Sequence, residues 1–247
     1  MNIDVHSKKM VVISDLHIGN PFCGPPDDLL EFMSQVRDEG YDLCINGDGF
    51  DIMQTSITEI LKTLPSFIGV MRNFKRNGLK IYYVVGNHDL ALEEMIHSFE
   101  DVVFCPFMNL TSGDRRIRIE HGYVYDPAFV KNPILYDRLV HVAGFFLKLT
   151  PSLYRLWIRY ERFKNKKSVG HEGLDGEPEE FFKAAKVISD RGFDSVIFGH
   201  THHPGSIQNN GVEYHNTGSF MLNPYYALID SGKVQLKQWF KGHSIGD

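Results

Sequence analysis

The chain has few of the features that mark secreted or membrane-spanning proteins. Its 247 residues include only three cysteines, Cys23, Cys44 and Cys105, and no C-x-x-C pair. This odd, irregular set argues against a disulfide framework and fits a reducing compartment. No stretch reaches the roughly 18 apolar residues that a membrane-spanning helix requires. The N-terminus lacks the basic flank and apolar run of a signal peptide. We therefore expect a soluble, cytoplasmic protein.

The sequence also lacks an excess of positive charge. Its formal net charge is −5 at pH 7, which gives no general attraction to nucleic acid. We therefore expect no nucleic-acid partner. With 43% hydrophobic and 23% charged residues, the composition is that of an ordinary globular protein, and a chain of this length can bury a sizeable core.

What the sequence does contain is a repeated unit, in which a short apolar run ends directly in residues of metal-ligand type. The runs are rich in β-branched residues, which predicts buried strands. Helical patterns at 27–39 and 56–77, each followed by glycine, separate the first three runs. This alternation predicts a largely parallel sheet with the carboxyl ends of its strands along one edge. The runs are 10–13, 43–45, 81–85, 117–119 and 195–198, followed by polar residues at 14–17, 46–51, 86–89, 120–122 and 199–203.

The polar residues have the spacing of paired metal ligands. Asp15 and His17 are two residues apart, and we expect extended backbone to project both side chains from one face. His200 and His202 repeat this spacing. Carboxylate and imidazole ligands without thiolates suit manganese, iron, zinc or cobalt better than calcium or a structural zinc.

The motifs D-x-H, G-D-x-x-D, G-N-H-D, H-G and G-H-T-H, in this order from Val11 to about Ser219, resemble those of the calcineurin-like metallophosphoesterase superfamily. The resemblance implies an α/β fold, a four-layer αββα sandwich of two mixed sheets. It also implies two divalent ions, with manganese preferred. Carried over position by position, it assigns Asp15, His17 and His202 to one ion, Asn87, His121 and His200 to the other, and Asp48 to both.

The same resemblance implies the roles of the neighbouring residues. His88 would lie beside the substrate phosphate as a catalytic group, with Asp51 or Asp89 as its partner. A pair of metal ions lowers the pKa of water to roughly 7 and neutralises the phosphoryl oxygens. The side-chain amide of Asn87 is expected to contact phosphate as well as metal. His203 follows the ligands directly, and a substrate contact and a local structural role both remain open for it.

One interval between the motifs is too long for a single crossover. His121 and His200 are 79 residues apart, and about 40 of these are surplus. We assign a helical insertion to about 125–177, within a single domain of residues 1–247. Two helical patterns within it each have an apolar face, and the second also has an arginine stripe on its opposite face. The apolar residues are Leu135, Leu139, Val142 and Phe146 in the first pattern and Leu153, Leu156, Trp157 and Tyr160 in the second; the arginines are Arg155, Arg159 and Arg162.

These faces have two interpretations. They could form a cap that shelters acyl chains while Arg155 and Arg159 hold a diphosphate or contact an anionic membrane. Alternatively, they pack on the main sheet. The insertion and the Asn216–Ser219 motif make the chain similar to the UDP-2,3-diacylglucosamine pyrophosphatase family. This similarity implies cleavage of a UDP-linked acylated sugar to UMP and a lipid sugar 1-phosphate, at the inner membrane face.

One position departs from that family. His88 and Leu90 stand where the family has arginine and phenylalanine, so the chain keeps the general superfamily form of the motif. A soluble phosphodiesterase, nuclease or phosphoprotein phosphatase therefore remains an alternative. A non-enzymatic scaffold on the same fold is a third hypothesis, which loss of metal ligands would mark. No ligand position is lost here.

Overall fold

The computed structural model describes residues 3–20, 26–95, 102–132, 177–209 and 211–246, and six single positions within 133–176. The described strands are β1 (Ile3–His6), β2 (Lys9–Ile13), β3 (Asp42–Asn46), β4 (Ile81–Val84), β5 (Val103–Cys105), β6 (Met108–Ser112), β7 (Arg115–Ile119), β8 (Ser195–Phe198), β9 (Gly205–Asn209), β10 (Val212–Asn216), β11 (Tyr225–Asp230) and β12 (Lys233–Gln238). The described helices are α1 (Pro26–Asp38), α2 (Ile57–Arg76), α3 (Pro127–Lys131) and α4 (Glu179–Ser189), with 3₁₀ turns at Leu90–Met95 and Tyr123–Tyr125.

The strands form two six-stranded sheets, ordered β1-β6-β7-β8-β10-β9 and β12-β11-β2-β3-β4-β5. In the second sheet, β2 to β5 are parallel, and β11 and β12 add an antiparallel edge. The first sheet is also mixed, since β7, β8 and β10 are parallel while β6 and β9 run against their neighbours β7 and β10. The prediction of two mixed sheets is confirmed.

Three apolar clusters show how the layers stack. Side chains such as Val12 and Val84 of the second sheet meet Leu110 and Ile197 of the first in a fully buried core. A larger cluster joins the outer face of the second sheet to α1 and α2. A third joins α4 to the outer face of the first sheet. The order is helices, sheet, sheet, helix.

The alternation along β4 explains why its sequence is continuously apolar. Tyr82 and Val84 face the other sheet, whereas Tyr83 faces the helices. A strand buried on both faces has no polar side, so the sequence reads as an unbroken apolar run. The predicted helix stop is also found, because Gly78 follows α2 with a φ of 73°, a conformation that glycine adopts without strain.

Most of the predicted insertion lies outside the described residues, including Arg155. The six described positions within 133–176 are helical and exposed. Val142 and Leu156 are 52% and 64% exposed, so at these two positions the predicted apolar faces do not pack on the sheet. Among the described helices, none is both long and apolar enough to cross a membrane. The six positions are Ile134, Arg138, Val142, Leu156, Arg159 and Phe163.

Candidate metal centre

The ends of five strands, three from one sheet and two from the other, meet at one place. Asp15 and His17 follow β2, Asp48 follows β3, and Asn87 follows β4. His121 follows β7 in the other sheet, and the last two predicted ligands follow β8. The seven residues are thus brought together from both sheets. Asp15, His17, Asp48, Asn87 and His121 are at most 4% exposed.

Asp15, His17 and His202 form the first cluster, in which one ligand atom of each lies within 4.8 Å of the others. Asp15 Oδ1 is 3.0 Å from His202 Nε2 and 4.0 Å from His17 Nε2. The two Nε2 atoms are 3.4 Å apart. A carboxylate and two imidazoles converging at these distances can hold a divalent cation.

Asp48, His121 and His200 form the second cluster, within the same limit of 4.8 Å. His121 Nε2 is 3.2 Å from Asp48 Oδ2, and His200 Nδ1 is 2.9 Å from Asn87 Oδ1. His121 Nδ1 is 2.8 Å from the carbonyl oxygen of Asn46. Because a carbonyl only accepts, Nδ1 carries the proton and Nε2 turns its lone pair to the site.

Some buried atoms of these clusters are better placed to bind a cation than to form hydrogen bonds with one another. Within the described part of the chain, Asp15 Oδ1 and His121 Nε2 are buried without a well-aligned hydrogen bond. Each has a neighbouring ligand atom about as close as a hydrogen-bond partner, yet the geometry of a bond is missing. Leaving such atoms unsatisfied in a protein interior costs roughly 1–3 kcal/mol each. The donor set therefore fits two divalent ions placed between these atoms.

The backbone at these residues is not extended, and that expectation was wrong. Asp15, His17, Asp48, His200 and His202 have φ values between 48° and 67°. Among the described non-glycine residues, only Ser231 joins them with a positive φ. This left-handed conformation costs of the order of 1–3 kcal/mol per residue and typically persists at functional sites. The side chains converge because the chain turns sharply after each strand.

Two glycines allow the loops to approach so closely. A Cβ atom at Gly47 would lie 2.3 Å from the His121 ring, and one at Gly86 would lie 2.2 Å from Asp48 Oδ1. Both distances are far inside van der Waals contact, so any side chain here would displace a predicted ligand.

His88 is hydrogen-bonded to Asp51 and not to Asp89. Its Nδ1 lies 3.1 Å from Asp51 Oδ1, and its backbone N–H donates to Asp48 Oδ1 at 2.8 Å. Burial alone would lower the pKa of His88, but the charge of Asp48 and the bond to Asp51 raise it to about 9. Burial opposes ionisation of Asp51, yet the nearby His17 ring and the hydrogen bond from His88 lower the pKa of its carboxyl.

Asp89 has a different role in this structure. Its carboxylate accepts hydrogen bonds from the backbone N–H groups of Gly49 and Gly86 at 2.8 and 2.7 Å, and from the Tyr83 hydroxyl at 2.5 Å. It therefore ties the loop after β3 to the loop after β4. Burial and the charge of Asp48 raise the pKa of Asp89 to about 6.

Sequence analysis missed two acidic residues near the site. Asp126 Oδ2 lies 3.0 Å from His200 Nε2. Glu177 accepts hydrogen bonds from Thr201, which lies between two predicted ligands, and from Tyr214 and Asn216. Neither acid belongs to a spaced motif, so no local signal distinguished it. Of the predicted substrate-binding residues, His203 is buried and Arg159 is exposed.

Residues 8–204 match the family model for calcineurin-like phosphoesterases. The chain belongs to this family. It is a metal-dependent phosphoester hydrolase, and the residue clusters described above are able to bind the divalent metals that the family uses. The family match does not assign the chain to the UDP-2,3-diacylglucosamine pyrophosphatases within that family.

Three solved structures are similar to the chain at low sequence identity. Hypothetical protein PH1004 from Pyrococcus horikoshii OT3 is 12% identical with a TM-score of 0.51, over 94% of this chain and 89% of that chain. A novel archaeal phosphodiesterase is 15% identical with a TM-score of 0.48, over 94% and 99%. An uncharacterized predicted phosphoesterase from Streptococcus pneumoniae TIGR4 is 15% identical with a TM-score of 0.42, over 95% and 94%. No curated protein matches the chain.

Proposed function

We propose that this hydrolase uses two divalent ions, one on Asp15, His17 and His202 and one on Asn87, His121 and His200, with Asp48 shared by both. The observation that carries the proposal is the pair of ligand clusters at the meeting point of two sheets. Manganese is the proposed metal. When bound, the two ions supply an activated water and neutralise the phosphoryl oxygens.

The chain's own groups complete the site. Asp51 holds Nδ1 of His88, so Nε2 is left to donate a proton to a phosphoryl or leaving-group oxygen. The Asn87 side-chain N–H₂ is buried and makes no hydrogen bond within the described part of the chain. It is therefore available to donate to a second phosphate oxygen.

Measurement of metal content tests whether Asp48 is shared by both ions. Protein purified without chelator should hold two ions per chain, and Asp48→Ala should release both, because each cluster depends on that residue. Asp114→Ala, which removes an exposed carboxylate in a turn, is the matched control and should keep both ions. A single tightly held ion that survives Asp48→Ala would contradict the assignment.

For the substrate, we propose an amphiphilic diphosphate such as UDP-2,3-diacylglucosamine or a close relative, cleaved at a membrane surface. Exposed apolar residues and arginines within the predicted insertion support this proposal. An apolar pocket of about 210 Å³ supports it as well. Phe50 and Ile52, which flank Asp51, form part of its lining. The pocket therefore borders the loop that holds His88.

His88 favours the alternative, a soluble phosphodiesterase or phosphatase, because it keeps the general form of the motif. Dependence on acyl length separates the two. Each CH₂ group removed from water contributes about 0.8 kcal/mol, so kcat/KM for the lipid should rise with chain length. Arg159→Ala should raise KM for the lipid and leave aryl phosphate hydrolysis unchanged. The control is Lys186→Ala, on the exposed side of α4. Equal kcat/KM for acylated and deacylated UDP-sugars would exclude the lipid.

A further inference from the structure

Both ring nitrogens of His200 have an oxygen neighbour. Nε2 is 3.0 Å from Asp126 Oδ2, and Nδ1 is 2.9 Å from Asn87 Oδ1. An ionised carboxylate only accepts hydrogen bonds. The contact with Asp126 therefore places the proton of a neutral His200 ring on Nε2. Nδ1 then presents a lone pair toward the Asn87 oxygen. In this orientation of the amide two acceptors face each other, an arrangement that a cation between them makes favourable.

We propose that Asp126 is a positioning residue for the second ion, acting through the tautomer and orientation of His200. The proposal rests on the proposed two-ion site and adds a residue to it. A histidine that binds metal through one nitrogen typically donates its other N–H to a carboxylate or carbonyl, and loss of that partner costs about 10- to 100-fold in metal affinity.

Asp126 is itself held firmly in place. Its Oδ1 accepts a hydrogen bond of 2.8 Å from the N–H of Ala128 and so caps α3. The neighbouring Tyr125 stacks on Phe198 at a centroid distance of 5.4 Å, and its hydroxyl donates to Glu120 at 2.7 Å. Since Phe198 ends β8 two residues before His200, the same strand end positions both partners of the Asp126–His200 contact.

Two of the other predicted histidine ligands also have an oxygen atom near their second ring nitrogen. Asp51 Oδ2 lies 3.7 Å from His17 Nδ1, and the Asn46 carbonyl lies 2.8 Å from His121 Nδ1. Asn46 ends β3, and Asp51 lies in the loop that follows it. Asp126, in contrast, lies where the predicted insertion begins. The contact between Asp126 and His200 therefore connects the start of that insertion to the proposed second ion and not to the first.

Titration of the metal-free full chain with MnCl₂ tests the assignment. Asp126→Ser keeps a good N-cap for α3 but is too short to reach His200. We expect it to bind the first ion with unchanged affinity and the second ion about 10- to 100-fold more weakly. Asp126→Asn offers an uncharged acceptor of the same shape, so its loss should be smaller.

The outcomes are distinguishable. If wild-type protein binds two ions and Asp126→Ser binds both equally well, Asp126 only caps α3 and the inference is overturned. Loss of both ions by Asp126→Ser, together with a lower melting temperature, would also overturn it, since the residue would then act on the fold. Wild-type protein that binds fewer than two ions would instead refute the proposed two-ion site.

Discussion

His88 is the residue through which the proposed site would meet its substrate. Asp51 fixes its ring, and its backbone N–H contacts the shared carboxylate of Asp48. The raised pKa of about 9 describes a ring that is protonated at neutral pH and able to donate. Bound cations would neutralise Asp48 and bring this pKa down, toward the range that suits a general acid near neutral pH.

His88→Ala should therefore lower kcat by about 10²–10⁴-fold while metal content and melting temperature stay unchanged. His88→Asn keeps a polar group of related shape and serves as the comparison for lost proton transfer. Steady-state kinetics on an aryl phosphate, with metal analysis of each variant, provide the measurement. A variant that loses an ion would place His88 among the ligands, as its proximity to His17 and Asp48 allows.

The predicted ligands that the structure brings together lie in short motifs, which sequence reasoning can recognise. Asp15 with His17, and His200 with His202, have a recognisable spacing even though the expected backbone conformation was wrong. Asp126 and Glu177 have no such spacing. They reach the site because Tyr125 stacks on Phe198 of β8 and α4 packs against β8 and β10, and this long-range packing leaves no periodic signal in the sequence.

At the scale of elements, the bounds of the strands that end in ligands were predicted to within two residues. Four of them contain an unbroken run of at least three apolar residues, whereas Arg118 interrupts the apolar run of β7. β1, β5 and β6 were not predicted. β5 has only three residues, and Val103 within it is exposed. β6 alternates between buried and half-buried residues, so its sequence lacks an unbroken apolar run.

Glu177 joins three elements around the ligand loop after β8. Its Oε1 accepts hydrogen bonds from the loop residue Thr201 and from Tyr214 and Asn216 of β10, and it precedes α4 by two residues. Its Oε2 is buried and has no hydrogen-bond partner among the described residues. Burial raises the pKa of Glu177 from 4.5 to about 7, although the hydrogen bonds favour the charged form.

This pKa has a consequence for stability. Between pH 4.5 and 7 the folded protein keeps a proton that the unfolded chain releases, so stability falls as pH rises through this window. The pKa difference corresponds to up to about 3 kcal/mol. Glu177→Gln should match the wild type near pH 4.5 and exceed its stability at pH 8. Urea midpoints of chelator-treated proteins provide the measurement, with the exposed Glu179→Gln as control. No difference at pH 8 would mean that Glu177 titrates normally.

For the whole molecule, the arrangement of ligands makes the ions part of the architecture. Asp15, His17, Asp48 and Asn87 follow strands of one sheet, whereas the remaining predicted ligands, His121, His200 and His202, follow strands of the other. Each proposed ion therefore takes ligands from both sheets. Bound metal would clamp the sheets together at one end of the apolar core between them. It would also offset the strain of five left-handed ligand residues.

Bound metal should therefore stabilise the fold in addition to its role in catalysis. An ion at 100 times its dissociation constant contributes about 2.7 kcal/mol, which for a chain of this size raises the melting temperature by roughly 5–10 °C. Because each ion needs ligands from both sheets, the shift should grow with Mn²⁺ concentration and be reversed by chelator. Asp48→Ala should melt at the same temperature with and without Mn²⁺. The contrary outcome is a wild-type protein that binds two ions but melts at the same temperature with and without Mn²⁺. The unfolded chain would then bind the ions equally well, and the sheets would not be held together by metal.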